Sequence, residues 1–491
     1  MDGYSNPIEK RAVDLLISGF GEYFGVIIPA CDLSGVMNYE IRDKNIVTIG
    51  FAASNRLISR CFDEGLMEKP TAAEGYSVYI GESILRNDKQ MIVIAGFDYN
   101  GLLYGVADFR NRYLGKEVFH VEDHNDMFNE NFFSNLFKKP IKEWRVCEHP
   151  VIPTRAIWTW GHVVYDYRGF FENMAKIRLN EIVIWNDYPP INAGEIVECA
   201  HSYGIKVIWG FSWGWGLDCI NELNNINSVD FSTIKNKVIS TYKDGYANTA
   251  ADGIYFQSFT EMKQATVGDK CVAEIVTQLV NDIATELFEL YPDLQIQFGL
   301  HATSVKDNLD YLKELDTRVR IVWEDCGAFP YAYKGLQTEN FEQTRFFVKK
   351  LMDLRTGTEK FGAVFKGMVN LDWQNFSHAT AGLSIGESEK SFITERSRKK
   401  QFLWKLVQAN WLKNADYART AVMDIADGAR EPIVQALVED GMFECDIFFP
   451  VALYADLLWD PCRPIDEIVE TVAKYPCVKF ANLESFKGEP F

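Results

Sequence analysis

Apolar runs that stop at a carboxylate recur through the second half of this sequence. Ile254-Tyr-Phe-Gln-Ser-Phe-Thr-Glu261 is strand-like and ends abruptly at Glu261. Glu324 and Asp325 close a second run behind Trp323, and Asp372 closes a third, beside Trp373. Asn186, Asp187 and His301 stand just past the ends of two more. Two carboxyl groups on either side of a bond can divide acid/base work. One, its pKa raised by burial, protonates the leaving oxygen; the other activates water or attacks. Glu261 is the first candidate for the acid, with Glu324, Asp325 or Asp372 as its partner. Side chains alternate along an extended segment, so Glu324 and Asp325 should not both face the same way. Glu324 is slightly favoured as the catalytic one, and Asp325 is read as a ligand for substrate hydroxyls. Asn186, Asp187 and His301 could bind hydroxyls too. Each has a structural alternative: a helix-starting surface Glu261, an Asp372 cap, a loop cap at Asn186 and Asp187, a packed His301.

Tryptophan adds a second signal. All twelve Trp lie beyond residue 143, and eight sit at or near the ends of these runs. Flat aromatic faces suit the apolar faces of sugar rings. Trp158, Trp160, Trp213, Trp323 and Trp373 are therefore candidate substrate platforms, with filling of a barrel mouth as the plainer alternative.

The elements that must carry these residues follow from periodicity. Residues 1–150 read as a small α+β domain with its linker: a helix at Glu9–Phe24, strands at Ile46–Ala52, Tyr76–Ile80 and Met91–Gly96, and a helix at Gly101–Leu114. Asn125–Pro140 reads as a polar connection. From Pro150 a strand–helix unit recurs about every 25 residues. The strands are expected at Arg155–Trp160, Glu181–Trp185, Ile205–Gly210, Gly253–Gln257, Leu294–Gly299, Arg320–Trp323 and Ala363–Leu371. Seven strands with intervening helices predict an α/β fold, a (β/α)8 TIM barrel over 151–415, whose strand ends form the active face. The eighth strand is not placed. Residues 416–491 read as a mostly helical C-terminal region that could complete the barrel. No Gly-x-Gly-x-x-Gly follows the first strand and no Gly-x-x-x-x-Gly-Lys occurs, which removes support for nucleotide binding.

At 47% hydrophobic and 24% charged, the chain has the composition of a globular protein and not of a disordered one. A net charge of −19 argues against nucleic acid or an anionic membrane as partner. No secretory signal or spanning segment is read at the start, and the ten scattered Cys form no C-x-x-C pair, so reduced thiols in the cytoplasm are expected. No cofactor is called for. No metal is expected either: the one dense group, His120 and His124 with Glu122, Asp123 and Asp126, precedes the barrel and reads as a solvated connector.

Two stretches carry a resemblance. Gly75-Tyr-Ser-Val-Tyr-Ile-Gly-Glu and Ile92-Val-Ile-Ala-Gly-Phe-Asp-Tyr-Asn-Gly-Leu-Leu-Tyr-Gly-Val-Ala-Asp-Phe109 resemble the accessory domain that precedes the barrel in family 20 β-hexosaminidases and family 67 α-glucuronidases. Pro153-Thr-Arg-Ala-Ile-Trp-Thr-Trp160, Met174–Asn180 and Tyr203–Val207 resemble the first βα units of the same barrels, and Leu457-Leu-Trp-Asp-Pro461 a helix-turn found after some of them. The resemblance implies a glycoside hydrolase with its acid after strand four, at Glu261, and a carbohydrate as partner. Family 20 enzymes carry an Asp-Glu pair there, whereas this chain has Thr260-Glu261. A hydroxyl cannot supply the charge that stabilises an oxazolinium-like intermediate, so substrate-assisted hydrolysis would need another carboxylate.

The leading expectation is an exo-acting hydrolase of a terminal hexosaminide or related hexoside, β-N-acetylhexosaminidase-like. An α-glucuronidase-like inverting enzyme is the first alternative, with carboxyl groups about 6.5–9.5 Å apart. It needs a cation for the uronate; Lys366 is one option, whereas Arg155 should lie at the wrong end of the barrel. A non-catalytic carbohydrate-binding barrel is the second alternative. Residues after 393 could pack on the barrel or form a homodimer contact.

Overall fold

Asp98 builds the turn that the first domain's Gly-rich motif encodes. Its carboxylate accepts from the Gly101 amide and so caps the helix Tyr99–Asp108. The same side chain accepts from the amide of Glu74 at 2.8 Å. Gly101 is required because a Cβ there would run into the Gly75 carbonyl. The computed structural model describes residues 6–25, 27–114, 143–160, 163–186, 188–214, 231–261, 265–267, 269–301, 303–324, 340–355, 360–368, 382–438, 441, 443–484 and 486. Of Phe24, Trp160, Glu261, Val267 and Lys366 only the backbone is described. The polar connector and its His120–Asp126 group lie outside these residues.

The first domain is a four-stranded sheet in the order Ile46–Gly50, Arg86–Gly96, Tyr76–Ser83, Trp144–Glu148. The first pair is parallel and the others antiparallel. Alternation along Tyr76–Ile80 sends Tyr76, Val78 and Ile80 to one face, under the helices Pro7–Phe24 and Tyr99–Asp108. Tyr79, Met91 and Val93 go to the other face, packed on Leu57, Ile58 and Cys61 of the helix Arg56–Asp63.

Eight parallel strands then close a barrel: Thr154–Trp160, Glu181–Trp185, Lys206–Ser212, Gly253–Gln257, Gln295–Leu300, Val319–Trp323, Phe361–Met368 and Ile433–Val438. Each is hydrogen-bonded to the next, and the eighth pairs with the first through Ile433–Leu437 and Thr154–Trp158. The strand left unplaced by the sequence is thus Ile433–Val438. It follows the 28-residue helix Gln401–Gly428, inside which position 415 falls. Closure is sealed from outside by Tyr454, on the fully buried helix Phe449–Trp459, whose hydroxyl lies 2.9 Å from the carbonyl oxygens of Ala156 and Val434.

The two domains meet at the bottom of the barrel, around Trp459. Its indole N–H donates to Glu148 at 3.1 Å, and the Arg178 guanidinium lies 4.4 Å from its ring centre. Arg178 pairs with Asp456 at 2.5 Å and with Asp108 at 3.4 Å. Arg112 bridges Asp108 and Glu148, both at 2.7 Å. Arg155 reaches back to Glu74 at 2.7 Å, so it does lie at the end of the barrel away from the strand C-termini. Buried charges persist only when paired and hydrogen-bonded, and this network meets that condition with groups from both domains and the C-terminal helices. The described cysteines are all free thiols. No helix among the described residues is long and apolar enough to cross a membrane.

Candidate active site

Alternation in the barrel strands fixes what faces inward. Trp158, Val183, Trp185, Ile208, Tyr255, Val322, Val364 and Leu437 form one closed interior cluster, all fully buried. Its aromatic members interlock: the ring of Trp158 lies 6.2 Å from that of Trp185, edge to face, and 5.2 Å from that of Tyr255. Below this layer runs a polar chain, in which Gln435 donates to Gln297 at 2.6 Å and Gln297 donates to Glu181 at 3.0 Å. Burial pushes the Glu181 carboxyl above its ordinary range.

Above the aromatic layer, at the strand C-termini, the same alternation brings Glu324, Gln257 and His301 together. Glu324 follows strand six and is fully buried. Tyr255 donates its hydroxyl to Oε1 at 2.7 Å, and the Gln257 amide lies 2.6 Å from both carboxylate oxygens. His301 Nε2 lies 2.7 Å from Oε2. The carboxylate fits because Gly299 stands opposite it, with no side chain to occupy the space. The His301 amide donates to Thr260 Oγ1 at 3.2 Å, and the Thr260 carbonyl accepts from the amide and hydroxyl of Ser304. Thr260 therefore ties the corner after strand four to the corner after strand five. Glu261 ends the short helical turn Phe259–Glu261 at this corner.

The other sequence candidates fall into four groups. Trp158 faces the barrel interior. Trp213 and Trp323 are fully buried but face the helical layer: Trp213 stacks on Phe256 with ring centres 3.6 Å apart, and Trp323 packs on Phe347 at 5.4 Å. They sit one residue out of phase with the inward set, so the alternation that points Glu324 inward points Trp323 outward. Asn186 is buried after strand two, and its side-chain N–H groups find no partner among the described residues. Asp187, Asp325, Asp372 and Trp373 lie outside the described residues, as do the side chains of Trp160, Glu261 and Lys366.

Tyr255, Gln257 and Trp185 belong to this arrangement and were not singled out as site residues from the sequence. The signal was present: Tyr255 and Gln257 are two apart on the strand that leads to Glu261, so they share its inward face. No group of His, Cys, Asp and Glu among the described residues could hold a metal ion.

On the far side of the mouth, the chain after strand seven returns to fasten onto the loops after strands one and two. Asn192 donates to the Leu383 carbonyl at 2.5 Å and accepts from its amide at 2.9 Å. The Ser384 carbonyl accepts from Tyr167, and Ile385 bridges to Asp166.

No family model matches the chain, and no curated protein matches it. Among solved structures it is similar to the GH20 β-N-acetylhexosaminidase from Streptomyces coelicolor A3(2), at 11% identity and a TM-score of 0.51, over 95% of this chain and 89% of that one. It is also similar to a GH138 enzyme targeting pectin rhamnogalacturonan II, at 12% identity and a TM-score of 0.50, over 95% of this chain. The chain spans 64% of the length of that enzyme. At such identities the likeness is one of fold: a barrel with an N-terminal sheet domain, in the arrangement of these glycoside hydrolases.

Proposed function

We propose that this chain is an exo-acting glycoside hydrolase that cleaves a terminal hexosaminide or related hexoside by carboxylate acid/base catalysis. The observation that carries the reading is the buried polar group of Glu324, His301, Gln257 and Tyr255 at the strand C-termini, set directly on an aromatic layer. A barrel uses that end for chemistry, and a sugar needs polar partners for its hydroxyls there. Glu261, at the corner that Thr260 ties to His301, is the proposed acid. Its partner comes from Glu324, Asp325 or Asp372.

A neutral sugar ranks above a uronide. Arg155 and Arg320 both begin their strands, at the opposite end from Glu324, and are paired there with Glu74 and Glu431.

The test is hydrolysis of a panel of nitrophenyl glycosides by wild type and Glu261→Gln. The panel includes β-GlcNAc, β-GalNAc, both glucosides, both galactosides and both glucuronides. Loss of an acid/base catalyst should cost about 10²–10⁴-fold on the sugar that is cleaved. Equal rates for the two proteins would remove Glu261 from the mechanism. A panel on which wild type is inactive but binds sugar would favour a carbohydrate-binding barrel.

A further inference from the structure

We propose that Glu324 acts through His301 and not on the sugar itself: it is a positioning residue that fixes the tautomer and orientation of the imidazole, and His301 is the group that meets substrate. The inference rests on the glycosidase reading above and assigns roles within that site.

A carboxylate offers about four lone-pair sites. On Glu324 three donors converge: Tyr255 on Oε1, His301 on Oε2, and the Gln257 amide nitrogen shared between both oxygens. All three donors belong to inward positions of strand four or to the end of strand five, and Glu324 has no exposed surface. A base that takes a proton from water, or a nucleophile that approaches carbon, needs a free lone pair directed at the reactant. Glu324 would have to break this set to do either. The side chain of His301 retains 11% exposure where that of Glu324 has none, so the imidazole is the outermost member of the pair.

An ionised carboxylate only accepts, so the nitrogen that faces it must carry a proton. An ionised Glu324 facing a neutral ring puts the proton on Nε2 and the lone pair on Nδ1. The His301 amide is held by Thr260, next to Glu261, so the imidazole is fixed from both strand ends. Glu324 contacts the ring directly, and Tyr255 reaches the same carboxylate. The direct partner of Glu261 then falls to Asp325 or Asp372.

The experiment uses the full chain with its seven histidines labelled with ¹⁵N, His301 being assigned by His301→Gln. Wild type should show the Nε2–H tautomer at His301, and Glu324→Gln should titrate at lower pH because the stabilising negative charge is gone. On the cleaved glycoside, Glu324→Gln should lose on the order of 10–100-fold in kcat/KM, as residues that orient an acting group do. The pH limb due to His301 should move with its titration. The double variant Glu324→Gln/His301→Gln should be no slower than His301→Gln alone. Multiplying losses, or an unmoved titration and pH limb, would overturn the proposal. Should Glu324→Gln not fold, Tyr255→Phe strips one donor from the same carboxylate and must shift the His301 titration. A wild type inactive on every glycoside would sink the glycosidase reading, while the tautomer and titration would still decide the pairing.

Discussion

Gly299 faces the carboxylate of Glu324 with nothing between them, and a Cβ at position 299 would fall within contact distance of both Glu324 Oε1 and the Tyr255 hydroxyl. The space in which the site's carboxylate sits is thus made by the absence of a side chain one strand away.

Gly299→Ala should therefore act as an overpacking change. The methyl has to displace both Glu324 and Tyr255, at about 1–3 kcal/mol of stability. Activity should fall further than stability does, because the displaced Glu324 orients His301. Denaturant melts alongside kcat/KM would separate the two effects, and a variant with full activity would show that Glu324 has room to spare.

Asp456 holds Arg178 and Arg463 on its two oxygens and accepts from Tyr475 at 3.1 Å. Asp456→Asn leaves both arginines short of a charge partner where burial makes that costly. A loss of about 3–5 kcal/mol is expected, measured by chemical unfolding. A loss under roughly 1 kcal/mol, the scale of exposed pairs, would mean that the network is solvated.

Acid should loosen the junction between the domains. Burial alone would raise the Glu74 carboxyl, but Arg155, Asn180 and Asn100 outweigh it and hold the pKa below its usual range. A depressed carboxylate contributes stability above its unfolded pKa and loses it as pH falls through the folded one. Glu74→Gln should be less stable than wild type at neutral pH, and the gap should close on acidification. A gap independent of pH would assign the effect to packing.

Glu181 has the opposite sign. Its carboxyl is raised by burial, so the folded state holds the proton longer than the unfolded state does and stability falls as pH rises from the unfolded to the folded pKa. Glu181→Gln keeps an acceptor for Gln297 and removes the charge. It should gain stability relative to wild type at pH 8 and little at pH 4, in paired thermal melts. A variant less stable than wild type at pH 8 would show that the ionised form is favoured.

Seven of the eight barrel strands were legible because each is a short apolar run bounded by turn residues. Ile433-Val-Gln-Ala-Leu-Val438 was not, because it lies between the long helix Gln401–Gly428 and the helix Phe449–Trp459, and six apolar-rich residues there have no periodicity of their own. In the site, Glu324 faces inward and its neighbour Trp323 faces the helices, as alternation requires. The same rule, applied to Trp213 and Trp323, would have turned them toward the helices. Proximity to a strand end marks which residues are near the mouth, and phase decides which of them see it. Tyr255 and Gln257 are uncharged at neutral pH, so only their spacing on the inward face of strand four marks them.

The position of Trp459 has a consequence for how the chain is made. Arg178 is synthesised 278 positions before Asp456, and Glu148 is made 311 positions before the indole that it accepts from. At about 5–20 residues per second, those early charges wait on the order of tens of seconds at the ribosome for their partners. Until then Arg178, Asp108, Arg112 and Glu148 can pair among themselves, but the side of the network that Asp456 and Trp459 cover stays hydrated. Nascent chains that stop short of Trp459 should accordingly hold that face open to chaperones and proteases, whereas release of the helix Phe449–Trp459 closes both ends of the assembly in one step.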